Sequence, residues 1–238
     1  MSYNLKPALT IDEQVNRLKE RGMLIENDAE ASCVLQRKNY YRFSGYAFLF
    51  QKPTDHYQKG TTFNQIAKLM DFDAALRHLL MPFLEYIEIY ARAEIAYWFS
   101  LAHNKDGGAH YDPSLFFNNS FHTEYIDNLN AQMEKNCHQP FVSHHIHSYN
   151  GRMPLWSAVE LLSFSTLSKL YSNMMEKDKE LIAANMNTDT AHLTNWLHCF
   201  SVLRNACAHY SRLYSIVYSP KVSLKKKLEE DAARDGAK

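Results

Sequence analysis

Apolar side chains recur along most of this chain at intervals of three and four residues, which is the spacing of amphipathic helices. The first such run, residues 11–18, follows the capping-box pair Thr10 and Glu13. Glycine is common just beyond a helix end, so the first helix is predicted to stop at Gly22. Further helices are predicted to begin near Asp28, Thr62, Phe121, Pro154, Lys169 and Thr190.

Two of these helices are predicted to be long. The helix from Thr62 extends to about Ala102, with a break near Asp71 and a perturbation at Pro82, which lacks a backbone N–H. The last helix extends to Tyr218, before a proline that stops it.

Two stretches without clear helical periodicity lie between the helices. The aromatic-dense stretch 39–50 is predicted to be a strand or a loop packed into the core. The His-rich stretch 137–152 is predicted to be a polar loop. The helix that follows it, from Pro154, is predicted to reach Leu162, and the next helix covers 169–186.

The composition favours an all-α protein. The 238 residues include only seven Gly and seven Pro, whereas a β-sandwich or barrel needs such residues at its many turns. Hydrophobic residues make up 46% and charged residues 22%, as in globular rather than disordered chains. The 26 basic residues equal the 26 acidic ones, so any contact with nucleic acid must be local.

Neither a membrane anchor nor a disulfide scaffold is predicted. No apolar run approaches the roughly 18 residues that a bilayer requires, and the first ten residues lack the apolar segment of a signal peptide. The four cysteines lack Cys-x-x-Cys spacing, which indicates free thiols in a reducing cytoplasm. The predicted organisation is an N-terminal helical extension (1–60), a helical core (61–220) and a solvated tail (221–238).

The last predicted helix carries the candidate chemistry. On a helical wheel its apolar seam consists of Trp196, Phe200, Leu203, Cys207, Tyr210, Tyr214 and Val217. The opposite face, an arc of roughly 80°, consists of His198, Ser201, Asn205, His209 and Arg212. Arg204 lies roughly 140° from His209, so a second copy of the helix across a two-fold axis would complete a site.

Two interpretations of this polar face are open. A solvated face without a further role is the ordinary case for an amphipathic helix. Residues 204–209, however, combine an arginine, whose guanidinium fork binds phosphate, with a histidine, which exchanges protons near neutral pH. Attack by the RNA 2′-hydroxyl needs acid–base help and stabilisation of the phosphorane, and it needs no metal.

Residues 204–209 match the Arg-x4–6-His signature of HEPN-fold ribonucleases. The chain from residue 6 to about 218 also resembles the Abi-like proteins of the AbiD/AbiF type. The segments that carry this resemblance are 6–10, 39–46, 72–73 with 76–77, 154–156 with 160, 163–164, and 204–209 with 212–213. Ser165 departs from the pattern, since these proteins usually have glycine at this position.

The resemblance implies an all-α HEPN-like helical bundle, a homodimer, and a role in bacterial abortive infection or toxin-like defence against phage. Arg204 and His209 would then be the catalytic pair. Asn205 would orient His209 or the scissile phosphate, and Arg212 would contact the RNA backbone. Some members of the family lie beside a small non-coding RNA, so such an RNA is a candidate regulator.

Several charged residues are candidates for supporting roles. Glu85, Glu88 and Arg92 lie on one stripe of the long helix, where an intrahelical salt-bridge set is favoured over a role in the site. Glu160 is either a buried partner for an arginine or a surface residue.

Two further groups of residues are candidate binding sites. Tyr41 and Arg42, in the aromatic stretch, offer an RNA contact because aromatic rings stack on unpaired bases. Core packing is nevertheless the favoured interpretation for so many aromatic residues in a helical protein. The histidines of 137–152 match no structural zinc spacing, and no metal or other cofactor is predicted.

The sequence therefore predicts a metal-independent endoribonuclease of the HEPN type, which leaves 2′,3′-cyclic phosphate ends and acts in phage defence or as a toxin in the bacterial cytoplasm. Its predicted partners are an RNA substrate, a second copy of the chain and a small non-coding RNA regulator, with no membrane. The alternative is a non-catalytic HEPN module that binds RNA or protein under the control of such an RNA. In a third interpretation, the motif only supports dimerisation.

Overall fold

The structure, a computed structural model, describes residues 6–224, and the predicted tail from residue 225 onward lies outside the described residues. Residues 6–224 contain ten α-helices and no β-strand, which confirms the predicted all-α class. The helices are α1 (Ile11–Glu20), α2 (Asp28–Lys38), α3 (Tyr40–Ala47), α4 (Phe63–Ala102), α5 (Asn119–Lys135), α6 (Pro140–Ser148), α7 (Leu155–Ala158), α8 (Phe164–Asn173), α9 (Glu176–Asn185) and α10 (Thr190–Ala208).

The chain divides into two compact units, one that ends at His78 and one that begins at Leu79. Helix α4 starts in the first unit and continues into the second. Each unit buries its own cluster of apolar side chains. The first cluster includes Val15, Leu18, Leu35, Phe43, Phe63 and Ile66. The second cluster includes Ile95, Phe99, Leu129, Leu155, Phe164, Leu167, Tyr171 and Leu197.

The predicted capping box closes the N-terminus of α1. The Thr10 Oγ1 accepts a hydrogen bond from the Glu13 N–H at 3.2 Å, and Glu13 Oε2 accepts one from the Thr10 N–H at 2.7 Å. The hydrogen bonds from Thr10, the backbone one above all, lower the pKa of Glu13. At the other end the chain turns at Gly22, whose φ of +87° favours glycine. Both predicted ends of this helix are confirmed.

The aromatic stretch 39–50 is largely helical, so the predicted strand or loop is wrong. Asn39 caps α3, because its side-chain oxygen accepts a hydrogen bond from the Tyr41 N–H at 2.8 Å. The buried face of α3 consists of Phe43, Tyr46 and Ala47. These positions follow helical spacing, and burial of this one face outweighs the β-propensity of aromatic residues.

Helix α4 is continuous, so the predicted break near Asp71 is wrong. Asp71 lies on the exposed side of α4, where its carboxylate pairs with the ammonium group of Lys38. A polar residue on the solvent side interrupts no helix, since only the inward positions need apolar side chains. The helix also continues through Pro82, whose ring lies on the exposed side.

The helix predicted to run from Pro154 to Leu162 is shorter than expected, because α7 is a four-residue turn. A new helix, α8, begins at Phe164, after the intervening segment 159–163. The Ser163 hydroxyl caps α8 by accepting a hydrogen bond from the Thr166 N–H at 3.1 Å. This cap starts a new helix just beyond the predicted end of the first helix.

Two other predicted boundaries in the second unit are also wrong. The segment 169–186 belongs to two helices, α8 and α9, because the backbone at Met174 is extended, with ψ at 154°. The His-rich stretch 137–152 contains a helix, α6, rather than only a polar loop. Pro140 occupies the first turn of α6, where the lack of an N–H costs nothing.

Helix α10 ends at Ala208, well before the predicted end at Tyr218. The backbone of Tyr210 is left-handed, with φ at +57°, and the Ser211 N–H donates to the Ala206 carbonyl at 2.9 Å. This is a Schellman closure with tyrosine at the position where glycine is usual. The apolar seam predicted beyond this point does not form. Its last members are all exposed: Tyr210, Tyr214 and Val217.

After this turn the chain returns along α10. The Asn195 side chain donates to the Lys221 carbonyl at 3.0 Å and accepts a hydrogen bond from the Ser223 N–H at 2.7 Å. The Trp196 indole donates to the Ser223 carbonyl at 2.6 Å. Residues 221–223, although exposed, are therefore anchored to the last helix.

Candidate functional site

Arg204 of α10 holds a buried carboxylate of α4. Its Nε donates to Glu88 Oε2 at 2.8 Å, and its Nη2 donates to Glu88 Oε1 at 2.9 Å. The Glu88 side chain is only 7% exposed. This two-point geometry is the strongest form of an arginine–carboxylate pair, and it joins the last helix to the long one.

A second arginine shares the same carboxylate. Arg92, one turn along α4, donates through Nη2 to Glu88 and also to the backbone carbonyl of Leu162 at 2.7 Å. The favoured intrahelical salt bridge between Glu88 and Arg92 is therefore present, and Arg204 is added to it. Because two guanidinium groups share one carboxylate, the cluster keeps a net positive charge.

Asn205 extends this cluster to α8. Its Oδ1 accepts a hydrogen bond from Arg204 Nη1 at 3.1 Å, and its Nδ2 donates to the Ser165 hydroxyl at 3.0 Å. The departure at Ser165 from the glycine of the resembling proteins thus has a structural use in this chain. We call Glu88, Arg92, Arg204, Asn205 and Ser165 the arginine cluster.

His209 lies at the C-cap of α10, and its imidazole is exposed. Its backbone N–H donates to the Asn205 carbonyl at 2.9 Å, which fixes where the ring leaves the helix. The two ends of the motif therefore differ in environment. Arg204 is largely buried by its ion pair, with 27% of its side chain exposed, whereas His209 is open to solvent.

Three other predicted site residues are not members of the arginine cluster. Glu85 and Glu160 are exposed, so Glu160 is a surface residue rather than a buried arginine partner. Arg212 is half-buried beyond the end of α10, where its carbonyl accepts a hydrogen bond from the Tyr218 hydroxyl at 2.8 Å. It does not lie one helical turn beyond His209, because the helix has ended.

Tyr41 and Arg42 lie on α3 in the first unit, and both are exposed. Core packing explains the neighbouring aromatic residues Phe43 and Tyr46, which are buried, but it does not explain Tyr41, which is 85% exposed.

The sequence did not reveal the contact between Arg204 and Glu88 or the part played by Ser165. The contact between Arg204 and Glu88 joins residues 116 positions apart, and the spacing of neighbouring residues gives no information on contacts over such a separation. The part played by Ser165 had a signal in the sequence, because a serine stands there where the resembling proteins usually have glycine.

No group of three or more His, Cys, Asp or Glu side chains in the region 6–224 is placed to hold a metal ion. No disulfide joins any of the four cysteines, all of which lie within residues 6–224; Cys33 and Cys137 are exposed, and Cys199 and Cys207 are buried. None of the helices in the same region combines the length and the apolar character needed to cross a bilayer.

Comparison with known proteins places the chain in a family. A search of curated proteins and a search of solved structures each found no match. The family model described as Abi-like protein matches residues 33–215, which is most of the chain. This range contains the whole arginine cluster and His209. The family connects the chain with abortive infection, a defence against phage. The chain belongs to the Abi-like protein family.

Proposed function

We propose that this protein is a metal-independent endoribonuclease of the HEPN type that acts in phage defence or as a toxin. The observation that carries the proposal is the end of α10, where Arg204 is fixed by Glu88 and His209 is presented to solvent five residues later. A cationic fork and an accessible imidazole are the two groups that RNA cleavage by its own 2′-hydroxyl requires.

In the proposed reaction, a base removes the proton of the 2′-hydroxyl, and the 2′-oxygen bonds to the adjacent phosphorus. The bond from phosphorus to the 5′-oxygen then breaks, and an acid protonates the leaving oxygen, so the products are a 2′,3′-cyclic phosphate and a 5′-hydroxyl. His209 is the acid–base group, a role that contributes about 10²–10⁴-fold. Arg204 stabilises the charge of the phosphorane, and Glu88 holds its guanidinium in place.

The proposal includes a homodimer. One His209 can take the proton of the 2′-hydroxyl and return it to the leaving oxygen, so the second copy is proposed for assembly and not for a second imidazole. Helix α4 also carries an exposed stripe, which we call the outer stripe, on the side away from Glu88. It consists of Leu79, Phe83, Tyr86, Tyr90, Ala93 and Tyr97. Alternating steps of four and three residues suit packing against another helix.

The decisive experiment measures cleavage of single-stranded RNA by purified protein in the presence of a metal chelator. Wild type is expected to cut, and His209→Ala and Arg204→Ala are expected to lose at least about 10²-fold in rate. His198→Ala is the matched control, since His198 is an exposed histidine on the same helix. Undiminished cleavage by His209→Ala, or cleavage only after addition of a divalent metal, contradicts the mechanism.

The second candidate function is a non-catalytic module that binds RNA or protein and is controlled by a small non-coding RNA. The observation that favours it is the pairing of Arg204 with a buried carboxylate, which is also a structural ion pair. Expression of wild type and an Arg204→Ala/His209→Ala double variant in a phage-infected bacterial host separates the two functions. Protection that survives in the double variant favours binding over cleavage.

A further inference from the structure

A second site lies in the second unit, between the turn after α4 and the segment that joins α6 to α7. It is a cavity of about 590 Å³. Aromatic and cationic side chains dominate its lining, and we call it the aromatic pocket. They are Tyr111, His144, His145, Tyr149, Arg152 and Trp156.

Two rings of the aromatic pocket are largely exposed to solvent. Trp156 is 55% exposed and Tyr149 is 57% exposed, although both are large enough to serve in the core. The rings of His145 and Tyr149 lie 5.5 Å apart at an angle of 35°. Planar groups that stay exposed at the mouth of a cavity offer a surface on which another planar group can stack.

The wall of the aromatic pocket is held in place by buried hydrogen bonds. The Met153 N–H donates to the Tyr111 hydroxyl at 3.0 Å, and the Met153 carbonyl accepts from the His110 imidazole at 2.9 Å. The backbone of Gly107 approaches the Trp156 indole so closely that a Cβ there would lie 2.6 Å from its ring. The backbone of Gly107 therefore packs against the indole and fixes its orientation before a ligand binds.

The charge of the lining favours an anionic ligand. Its one fully charged side chain is Arg152, whose guanidinium lies 4.6 Å from the centre of the Tyr111 ring. His145 is held in place by its Nδ1, which donates a hydrogen bond to the Phe141 carbonyl at 2.7 Å. No Asp or Glu is among the side chains that line the cavity. The carboxylate of Asp106 lies beside the lining and accepts a hydrogen bond from the Gly108 N–H at 2.8 Å. Arg152 is therefore the group in the pocket that offers a contact to an anion.

The aromatic pocket adjoins the arginine cluster through a shared residue. Trp156 also lines a neighbouring cavity of about 530 Å³, and Arg92 lines that second cavity. Arg92 is bonded to Glu88, which holds Arg204. The Ser100 hydroxyl, buried at the same cavity, has no hydrogen-bond partner among residues 6–224. The aromatic pocket and the second cavity thus share Trp156, and the second cavity reaches Arg92 of the arginine cluster.

We propose that the aromatic pocket binds an unpaired nucleobase of single-stranded RNA, with Trp156 and Tyr149 stacking on the base and Arg152 contacting an adjoining phosphate. This inference rests on the proposed function for one assumption, namely that the ligand is RNA. Stacking needs a base that is free of its partner strand, so the pocket selects single-stranded over duplex RNA. It positions the substrate and takes no part in the bond-breaking step.

The experiment measures RNA binding in a His209→Ala background, in which the strand is not consumed. Trp156→Leu and Tyr149→Leu are each expected to weaken binding of a short single-stranded RNA roughly 5- to 100-fold. Trp156→Phe retains a ring and is expected to keep most of the affinity. Phe117→Leu is the matched control, because Phe117 is an exposed aromatic residue outside the pocket. Thermal unfolding of each variant shows whether it is folded.

Two further ligands show whether the pocket binds a base of single-stranded RNA, an RNA duplex or a free nucleotide. An RNA duplex of the same sequence is expected to bind with an affinity that Trp156→Leu leaves unchanged. Adenosine monophosphate is expected to bind weakly and to compete with the strand. Equal binding of the strand by Trp156→Leu, Tyr149→Leu and their parent overturns the proposal. Binding of adenosine monophosphate without binding of the strand also overturns it, in favour of a free-nucleotide pocket.

The binding test is independent of the proposed catalysis. Cleavage is measured with His209 intact and reports on the proposed function, whereas binding in the His209→Ala background reports on the aromatic pocket. A protein that cuts RNA but binds it equally well after Trp156→Leu refutes the pocket alone. A protein that never cuts but loses strand binding after Trp156→Leu refutes the catalysis alone.

Discussion

Arg204 and Glu88 lie 116 residues apart in the chain and are joined by two hydrogen bonds in the fold. The Glu88 carboxylate is buried. Its Oε1, which accepts a hydrogen bond from Arg204, also accepts one from Arg92. Breaking such a pair from one side leaves the other charge buried without compensation, which costs far more than an exposed pair ever contributes. The pair therefore connects the stability of the second unit with the geometry of its proposed site.

Glu88→Ala is expected to lower the free energy of unfolding by about 3–5 kcal/mol, because it leaves two guanidinium groups close together without a counter-charge. Glu85→Ala is the control, since Glu85 lies on the same helix but is exposed, and its effect is expected to stay within about 0.5 kcal/mol. Urea unfolding at neutral pH measures both. Equal midpoints for the two variants would contradict the assignment of Glu88 as the anchor of the cluster.

Arg204→Lys keeps the positive charge but cannot form the two-point contact with Glu88. If the fork orients the cation for catalysis, the lysine variant is expected to cleave RNA more than tenfold slower than wild type and faster than Arg204→Ala. The single-turnover cleavage rate measures this difference. A wild-type rate in Arg204→Lys would mean that charge alone suffices and that the pairing with Glu88 has no catalytic role.

Asn205 and Ser165 are expected to be energetically coupled through their hydrogen bond of 3.0 Å. A double-mutant cycle with Asn205→Ala and Ser165→Ala is expected to give a coupling free energy of about 0.5–1.5 kcal/mol. Urea unfolding of the two single variants and the double variant supplies the cycle. Strictly additive effects would show that the serine at this position is an incidental substitution for glycine.

The second unit is expected to lose stability as the pH falls below about 6.5. Burial lowers the pKa of His110 to about 4, and its neutral ring donates through Nε2 to the Met153 carbonyl while Nδ1 accepts from the Tyr125 hydroxyl at 2.6 Å. The unfolded chain binds a proton near pH 6.5, whereas the folded chain does not until about pH 4. The stability that the neutral ring contributes is thus fully present above pH 6.5 and is lost as the pH falls toward 4.

For one proton, the expected slope between these values is about 1.4 kcal/mol per pH unit. Urea unfolding of wild type and His110→Gln across this range measures it. The variant is expected to be less stable at pH 7 but to show a smaller slope, because glutamine does not titrate. The same slope in both proteins would assign the acid sensitivity to other groups.

Tyr86→Asp is expected to shift the protein from dimer to monomer, because it places a charge in the middle of the outer stripe. The thermal midpoint should change little, since the Tyr86 side chain is 72% exposed in the single chain. Sedimentation velocity at matched concentrations measures the assembly. Glu85→Lys is the control, as an exposed neighbour outside the stripe. A monomeric wild type would contradict the homodimer in the proposed function.

The sequence by itself determined those elements whose signals lie within one or two helical turns. The capping box at Thr10, the start of α2 and the Glu88–Arg92 pair all depend on contacts between residues two to four positions apart, and all three are present. The all-α class follows from the same local periodicity, summed over the chain.

The tertiary structure decided the features that depend on distant residues. Packing in the first unit made 39–50 helical, the Schellman turn at Tyr210 ended α10 early, and the fold brought Glu88 to Arg204. Helical periodicity reports which face of a segment is apolar, but it carries no information on which other segment covers that face. For this reason the residues of the Arg-x4–6-His motif could be named from the sequence, whereas the carboxylate that holds its arginine appears only in the folded chain.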